Sequence, residues 1–261
     1  MPEDAAHRHA RRCLGFLGLT VIDVQPKEGE QRADFLATIA RETYVVEVKG
    51  PGEDPSFARK LHAQGHAEII RPAGRTNTAS RKIKEANDQL LATPAPEDAF
   101  RVVALVSDGH SEELQTMQYV STLYGKELLY YLSNNELTGP FDCYYFSFSE
   151  FYRHRSLDAA LLFSPDGSRL CPNTFSNRCQ AFLSSHLYQF HLEHSAVEDP
   201  REAETRGKAF ILDADIDRRN EAPLLEYIAA KYLLPSVPFV IHLKQATGQV
   251  LVPREPPNTT E

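Results

Sequence analysis

The stretch RADFLATIARETYVVEVKG, residues 32 to 50, decides the fold of this chain. β-Branched and aromatic residues fill the segments 34–39 and 44–49 and predict two strands joined by a tight turn. If that turn has two central residues, Ile39 pairs with Glu42 and the strands form an antiparallel hairpin. The sequence therefore predicts a β-hairpin near the start of the chain.

Pairing in that register brings charged side chains together at one end of the hairpin. Asp34 faces Glu47, and directly opposed residues have Cβ atoms about 5 Å apart. Strand alternation places Lys49 on the face of Glu47, while Val46 and Val48 point the other way into a core. The hairpin is thus expected to present two carboxylates and an ammonium side by side.

Such a group of charges destabilises the hairpin unless a proton or a bound cation compensates the repulsion between the carboxylates. Two opposed carboxylates repel each other, so one must take up a proton or both must bind a cation. Carboxylate oxygens suit Mg²⁺, and a metal-bound water beside Lys49 would be a hydrolytic nucleophile. The alternative is a surface hairpin on which Glu47 and Lys49 face solvent. Valines on both faces of the second strand argue against it, because they indicate a strand covered on both sides.

Asp34, twelve intervening residues and then Glu47-Val48-Lys49 resemble the motif of the PD-(D/E)xK nuclease superfamily. The resemblance implies an α/β protein with a restriction-endonuclease-like α-β-β-β-α-β core and a mixed central sheet. It also implies that Asp34 and Glu47 bind Mg²⁺ or Mn²⁺, with the Val48 carbonyl as a further ligand. Lys49 would activate the attacking water. The chain departs from the usual motif at Ala33, where many members have Pro.

Three auxiliary residues are candidates by the same resemblance. Many members carry a carboxylate on the first helix, and Glu3 could supply it here, although an acidic residue at a helix start also interacts favourably with the helix dipole. Members often place a Gln or Lys of the helix after the hairpin beside the catalytic centre. Lys82 and Gln89 occupy that helix, and a simple solvent boundary would explain them as well.

A local basic segment follows the hairpin. The net charge of −8 argues against non-specific coating of nucleic acid, so local patches must decide binding. Residues 70–84 hold five basic residues and no acidic one, which suits contacts with phosphates. The alternative is a solvated loop and helix start. The basic residues are Arg71, Arg75, Arg81, Lys82 and Lys84.

The rest of the first half completes the expected core. Its hydrophobic pattern predicts a helix, a strand, a second helix and an apolar strand that is parallel to an earlier one, at residues 3–17, 20–24, 80–92 and 100–106. Thr78 or Ser80 is expected to cap the second helix. We therefore assign residues 1–110 to a nuclease-like core. Residues 111–261 form a C-terminal α+β extension of the core or a small accessory domain of unknown role.

Two stretches of the second half carry unusual composition. Residues 144–152 are dense in Tyr and Phe and could stack unpaired bases, although core packing is the alternative for most of them. Residues 213–217 hold three Asp and resemble the start of a calcium-binding loop. Arg218 stands where such a loop needs Gly and Leu224 where it needs Glu, so we predict an edge strand with solvent-facing acids instead.

Several classes of protein are excluded by composition. No apolar run approaches the roughly 20 residues of a membrane span, and the N-terminus lacks the apolar core of a signal peptide. The four cysteines are scattered and imply no disulfide framework. GxSxG motifs and glycine-rich phosphate loops are absent. We expect a cytoplasmic protein with no membrane contact.

The sequence thus favours a Mg²⁺-dependent nuclease that hydrolyses phosphodiester bonds, with DNA as the favoured substrate. A homodimer or a partner subunit is compatible with this reading. Two alternatives stay open: a catalytically inactive nucleic-acid-binding module on the same fold, and an interaction scaffold of a larger complex.

Overall fold

The computed structural model describes residues 5–25, 29–50, 63, 66–71, 74–107, 112–165, 167–194, 196–241 and 246–251, with the backbone alone for 66–71 and 246–251. Over these ranges the chain is an α/β protein with helices packed on mixed sheets. No helix in this part of the chain combines the length and apolar character needed to cross a membrane.

The elements follow one another in an alternating order. The helices are α1 (Ala5–Phe16), α2 (Asn77–Ala92), α3 (Glu112–Tyr124), α4 (Glu150–Arg153), α5 (Cys179–Leu183), α6 (His186–Glu193), α7 (Pro200–Thr205) and α8 (Glu221–Lys231). The strands are β1 (Thr20–Asp23), β2 (Phe35–Ile39), β3 (Glu42–Lys49), β4 (His66–Arg71), β5 (Phe100–Val106), β6 (Glu127–Ser133), β7 (Glu136–Tyr144), β8 (Ala159–Ser164), β9 (Gly167–Pro172), β10 (Ala209–Ile211), β11 (Phe239–Val240) and β12 (Ala246–Leu251).

A six-stranded mixed sheet with the order β1-β2-β3-β5-β8-β9 forms the centre. The first three strands are antiparallel, β3, β5 and β8 run parallel, and β9 returns antiparallel. The predicted parallel pairing of the apolar strand 100–106 is confirmed, since this strand is β5 beside β3. The second half of the chain thus contributes β8 and β9 to the same sheet.

The hairpin has the predicted register. Ile39 pairs with Glu42 and Leu36 with Val45, which confirms a turn with two central residues. The backbone of the first of these two residues, Ala40, has a φ of 51°, which is the left-handed conformation that tight hairpin turns require. β2 begins at Phe35, so Asp34 lies just before the strand.

Both faces of the central sheet are covered, which is why its strands are so apolar. On one face, Val46 and Val48 pack in a core with the buried stripe of α1, as predicted. On the other face, Val45 packs in a core with residues of α2 and α3. Glu47 alternates with Val46 and Val48 and therefore lies on the face of α2.

A smaller sheet with the order β10-β7-β6-β11 carries a third core under α8. The loop after β10 corrects one prediction, because residues 213–217 form no strand. The guanidinium of Arg218 donates hydrogen bonds to the carbonyls of Leu212, Ala214 and Ile216. These bonds fold the acidic stretch back on itself and occupy carbonyls that a strand ladder would use.

The start of α2 corrects a second prediction. The cap is Thr76, whose hydroxyl accepts a hydrogen bond from the backbone N–H of Ala79 at 3.1 Å, and not Thr78 or Ser80. The helix begins at Asn77, three residues before the predicted start. Several polar residues with capping ability stand in this stretch, and their order alone does not select one of them.

Gly125 is expected to tolerate no side chain. Its φ is +61°, and a Cβ atom would lie 2.3 Å from the carbonyl oxygen of Ser147, so the tight turn after α3 would have to move. We expect Gly125→Ala to lower the free energy of unfolding by more than about 1 kcal/mol, measured by urea denaturation. Gly15→Ala is the control, because nothing lies within 4 Å of its added Cβ atom and it lies in α1. Equal stability of the two variants would contradict this expectation.

Candidate functional site

The end of the hairpin holds the acidic pair that the sequence predicts. One carboxylate oxygen of Asp34, Oδ2, accepts a hydrogen bond from the backbone N–H of Val48 at 2.7 Å. This bond fixes the carboxylate of Asp34 beside the strand that carries Glu47. The hairpin register therefore determines where both carboxyl groups lie.

Glu47 is almost completely buried, with 2% of its surface exposed. The ammonium of Lys49 lies 2.6 Å from its Oε1 atom, whereas Oε2 is buried and accepts no hydrogen bond from the described residues. Burial and the neighbouring charge of Asp34 together raise the pKa of Glu47 to about 8, against the smaller opposite effect of Lys49. With a pKa of about 8, raised first by burial and then by the charge of Asp34, the Glu47 carboxyl group retains its proton near neutral pH.

The helix α2 supports the lysine from the other side. The amide oxygen of Gln89 accepts a hydrogen bond from the ammonium of Lys49 at 2.6 Å, and its amide nitrogen donates to the carbonyl of Arg32 at 3.4 Å. Lys82, two turns earlier on the same helix, donates to the carbonyl of Gly50. Both auxiliary candidates on α2 therefore reach the hairpin, as the resemblance implies.

A residue that sequence reasoning missed completes the site. His7 of α1 places its Nε2 atom 2.8 Å from Oδ1 of Asp34. Burial alone would raise the pKa of Asp34, but the hydrogen bonds from His7 and from the Val48 N–H outweigh it and hold that pKa below its ordinary value. Glu3, the predicted first-helix carboxylate, lies outside the described residues. On the helix predicted over residues 3–17, His7 stands four residues after Glu3, a spacing that puts two residues on one helix face, and this spacing is the one sequence signal for it.

A cavity of about 350 Å³ opens beside Asp34 of the acidic pair. Its walls include His7, Asp34 and Gln89, together with the backbone that leads into β2. The side chain of Asp34 is 23% exposed and lines this cavity, so it can meet a ligand that enters. The side chain of Lys49 is 19% exposed and lies behind Gln89, which also lines the cavity.

The donor set suits a hard divalent cation. Across the described ranges no group of three or more His, Cys, Asp and Glu side chains is arranged to hold a metal. Mg²⁺ needs only one or two protein carboxylates, because it retains several of its waters. Asp34 and Glu47 would supply these, since Oε2 of Glu47 accepts no hydrogen bond and each Asp34 oxygen has a second lone pair. The predicted role of the Val48 carbonyl stays a prediction.

The basic segment is only partly available to a ligand. Arg75 donates to the Phe148 carbonyl and to Glu150, and Arg81 forms an ion pair with Glu85 at 2.8 Å. Lys84 is exposed on α2. For Arg71 the structure describes the backbone alone, within β4. Lys82 is directed towards the hairpin, so the five predicted phosphate contacts do not form one uniform surface.

Comparisons with protein-family models, with curated proteins and with solved structures found no match for this chain.

Glu47→Gln is expected to change the pH dependence of stability. The pKa of Glu47 is raised from 4.5 to about 8 on folding, so the folded chain binds an extra proton between these values and its stability falls as pH rises through this window. Glutamine carries no such proton and leaves the site neutral. We expect the Tm difference between Glu47→Gln and wild type to grow in favour of the variant from pH 5 to pH 9, in metal-free buffer with chelator.

The control for this experiment is Glu85→Gln, which removes a surface carboxylate that is 46% exposed. Its Tm should follow that of wild type over the same pH range apart from a constant offset. A Glu47→Gln difference that is independent of pH would show that the carboxyl group is already ionised in the folded chain at pH 5.

Proposed function

We propose that this protein is a metal-dependent nuclease that hydrolyses phosphodiester bonds of nucleic acid, with DNA as the favoured substrate. The observation that carries the proposal is the buried Glu47 carboxyl group beside the fixed carboxylate of Asp34, with Lys49 in contact. A carboxyl group with a pKa of about 8 beside a second carboxylate is a site that a cation would stabilise.

The fold supports the same proposal. A helix, an antiparallel set of three strands, a second helix and a strand parallel to β3 follow one another as α1, β1 to β3, α2 and β5. This order is the one expected of a restriction-endonuclease-like core, with β4 as an additional strand that pairs with β12. The hairpin carries the acidic pair at its open end, where the resemblance expects it.

The residues divide the chemistry between them. Asp34 and Glu47 would hold Mg²⁺ or Mn²⁺, which when bound polarises a phosphate oxygen and lowers the pKa of a coordinated water. Lys49 places its ammonium where it can orient the attacking water and stabilise negative charge on the phosphate. Gln89 holds that ammonium by its amide oxygen, which restricts Lys49 to the site.

A second candidate is a nucleic-acid-binding module without catalysis. Two observations favour it. His7 contacts one oxygen of Asp34, and Lys49 contacts one oxygen of Glu47, so each carboxyl group already has a partner. Among the described residues, no group of three or more His, Cys, Asp and Glu side chains is arranged to hold a metal. Binding would then come from the exposed part of the basic segment.

Lys49→Ala is expected to lower cleavage of DNA by at least about 100-fold in Mg²⁺ or Mn²⁺, because both water orientation and charge stabilisation are lost. The measurement compares single- and double-stranded DNA and RNA as substrates. Lys208→Ala, which removes an exposed lysine outside the site, is the matched control and should cleave like wild type. Equal cleavage by Lys49→Ala would remove the lysine from the proposal.

Asp34→Ala should abolish cleavage and leave the chain folded, because it relieves the repulsion with Glu47. Far-UV circular dichroism and Tm check the fold beside the activity assay. Unfolding of this variant would indicate a structural pair instead. If wild type binds nucleic acid in a salt-dependent manner but cleaves none of the substrates, the binding module is the better description.

A further inference from the structure

A second cavity, of about 290 Å³, lies between the segment after β7 and the loop after β10. It shares no lining residue with the cavity beside Asp34. Its walls combine four aromatic residues with five charged ones, so a ligand of this cavity must offer both flat apolar surface and polar groups.

Two aromatic residues of this cavity are exposed rather than packed in the core. Phe148 is 38% exposed and Tyr152 is 49% exposed, and both line the cavity. The other aromatic residues of the same stretch are buried, namely Tyr144, Tyr145, Phe146 and Phe151. Phe175 packs edge-to-face with Tyr152, with ring centroids 5.2 Å apart. The structure thus divides the aromatic stretch into core residues and an exposed pair.

Arginine side chains lie against both exposed rings. The guanidinium carbon of Arg153 is 5.0 Å from the ring centroid of Phe148, and that of Arg155 is 5.1 Å from the ring centroid of Tyr152. Arg155 is exposed, and Arg153 is 45% exposed despite its ion pair with Glu150. Arg153, which lines the cavity, therefore presents positive charge beside flat apolar surface, and Arg155 adds positive charge against the ring of Tyr152.

The opposite wall presents hydrogen-bond acceptors. Arg218 holds the loop in place by its bonds to three carbonyls, and two of the loop's acids are neutralised by ion pairs with Lys231 and Arg219. The third, Asp215, is exposed, and among the described residues it interacts with the charge of Arg218. One carboxylate is thus available to hydrogen-bond donors of a ligand.

We propose that this cavity binds one unpaired nucleotide of a nucleic-acid strand. A nucleotide matches the polarity of the cavity: its base stacks on Phe148 and Tyr152, and its phosphate meets the arginines beside them. The N–H donors on the edge of the base reach the carboxylate of Asp215. A duplex does not fit this site, because its bases are stacked on one another and are not free to stack on protein rings.

The helix α2 connects this cavity with the hairpin. Arg75, next to its cap, donates a hydrogen bond to the carbonyl of Phe148 at 3.1 Å, while Gln89 near its other end contacts Lys49. From its first residue, Asn77, to Gln89 the helix spans about 18 Å. The inference goes beyond the proposed function, since binding at the cavity requires no cleavage at the hairpin.

The test is fluorescence anisotropy with a 5′-labelled single-stranded 12-mer, in chelator so that metal-dependent cleavage is absent. A second probe of the same length has abasic sites throughout and keeps the phosphate charges without the bases. The variants are the double substitution Phe148→Ala, Tyr152→Ala and the control Phe239→Ala, which removes an aromatic ring of matching exposure, 37%, outside the cavity.

We expect the double variant to bind the 12-mer at least about tenfold more weakly, as the loss of base stacking requires, and to bind the abasic strand like wild type. Phe239→Ala should retain the wild-type Kd. An unchanged Kd in the double variant, or an equal loss for the abasic strand, would overturn the proposal. Displacement of the 12-mer by free adenosine monophosphate near the Kd of the strand would also overturn it, in favour of a free nucleotide.

Because this test contains chelator, its failure is separate from failure of the nuclease proposal. A cleaving enzyme with an unaffected double variant would keep the hairpin site and lose the cavity. Conversely, stacking-dependent binding without cleavage in Mg²⁺ would keep the cavity and lose the nuclease.

Discussion

The burial of Glu47 beside Asp34 is the constraint on which the site depends. Strand alternation fixes Glu47 on the face of the sheet covered by α2, and β3 has paired neighbours on both sides, so the carboxyl group cannot turn out to solvent. A buried charge is stabilised only by a proton, a partner charge or a cation. The hairpin supplies Lys49 and retains the proton, and a divalent cation would satisfy the same requirement at higher pH.

The helices around the acidic pair stabilise it through different contacts. α2 contributes Gln89, a neutral acceptor that holds the ammonium of Lys49 without adding charge. α1 contributes His7, which lies against the opposite carboxylate. The pair is therefore asymmetric: the pKa of Asp34 is lowered while that of Glu47 is raised. Asymmetry of this kind allows one carboxylate to remain charged and accept a cation while its neighbour releases a proton.

The hairpin could be predicted from sequence because its information is local. A two-residue turn and strand alternation determine the pairing of Leu36 with Val45 and the inward direction of Val46 and Val48. His7 could not be assigned in this way, because its contact joins a helix to a hairpin 27 residues later and depends on how the helix packs on the sheet. The prediction of the α2 cap was wrong because several neighbouring residues have the same capping ability as Thr76, the residue that caps the helix.

The second half of the chain was harder to predict from sequence, because its core and exposed aromatic residues differ in burial and not in composition. Tyr145 has a φ of 63° and turns the chain sharply after β7, which breaks the alternation that a continued strand would show. Phe148 and Tyr152 come to the surface after that turn. The prediction of a strand for the acidic stretch before Arg218 was wrong because its loop conformation depends on hydrogen bonds from the Arg218 side chain to three carbonyls. The composition of the stretch does not reveal these bonds.

The buried carboxylate of Glu150 links the start of α2 to the segment that lines the second cavity. It is 2% exposed and accepts hydrogen bonds from Ser80 and Arg75 at the start of α2 and from Arg153 at the cavity. Arg75 is thereby used to hold the structure together, which leaves less of the basic segment for phosphates. A chain of net charge −8 gains little affinity for nucleic acid from its overall field. Stacking on exposed rings adds affinity without net charge, so an aromatic cavity is a reasonable complement to a site whose own charges are engaged.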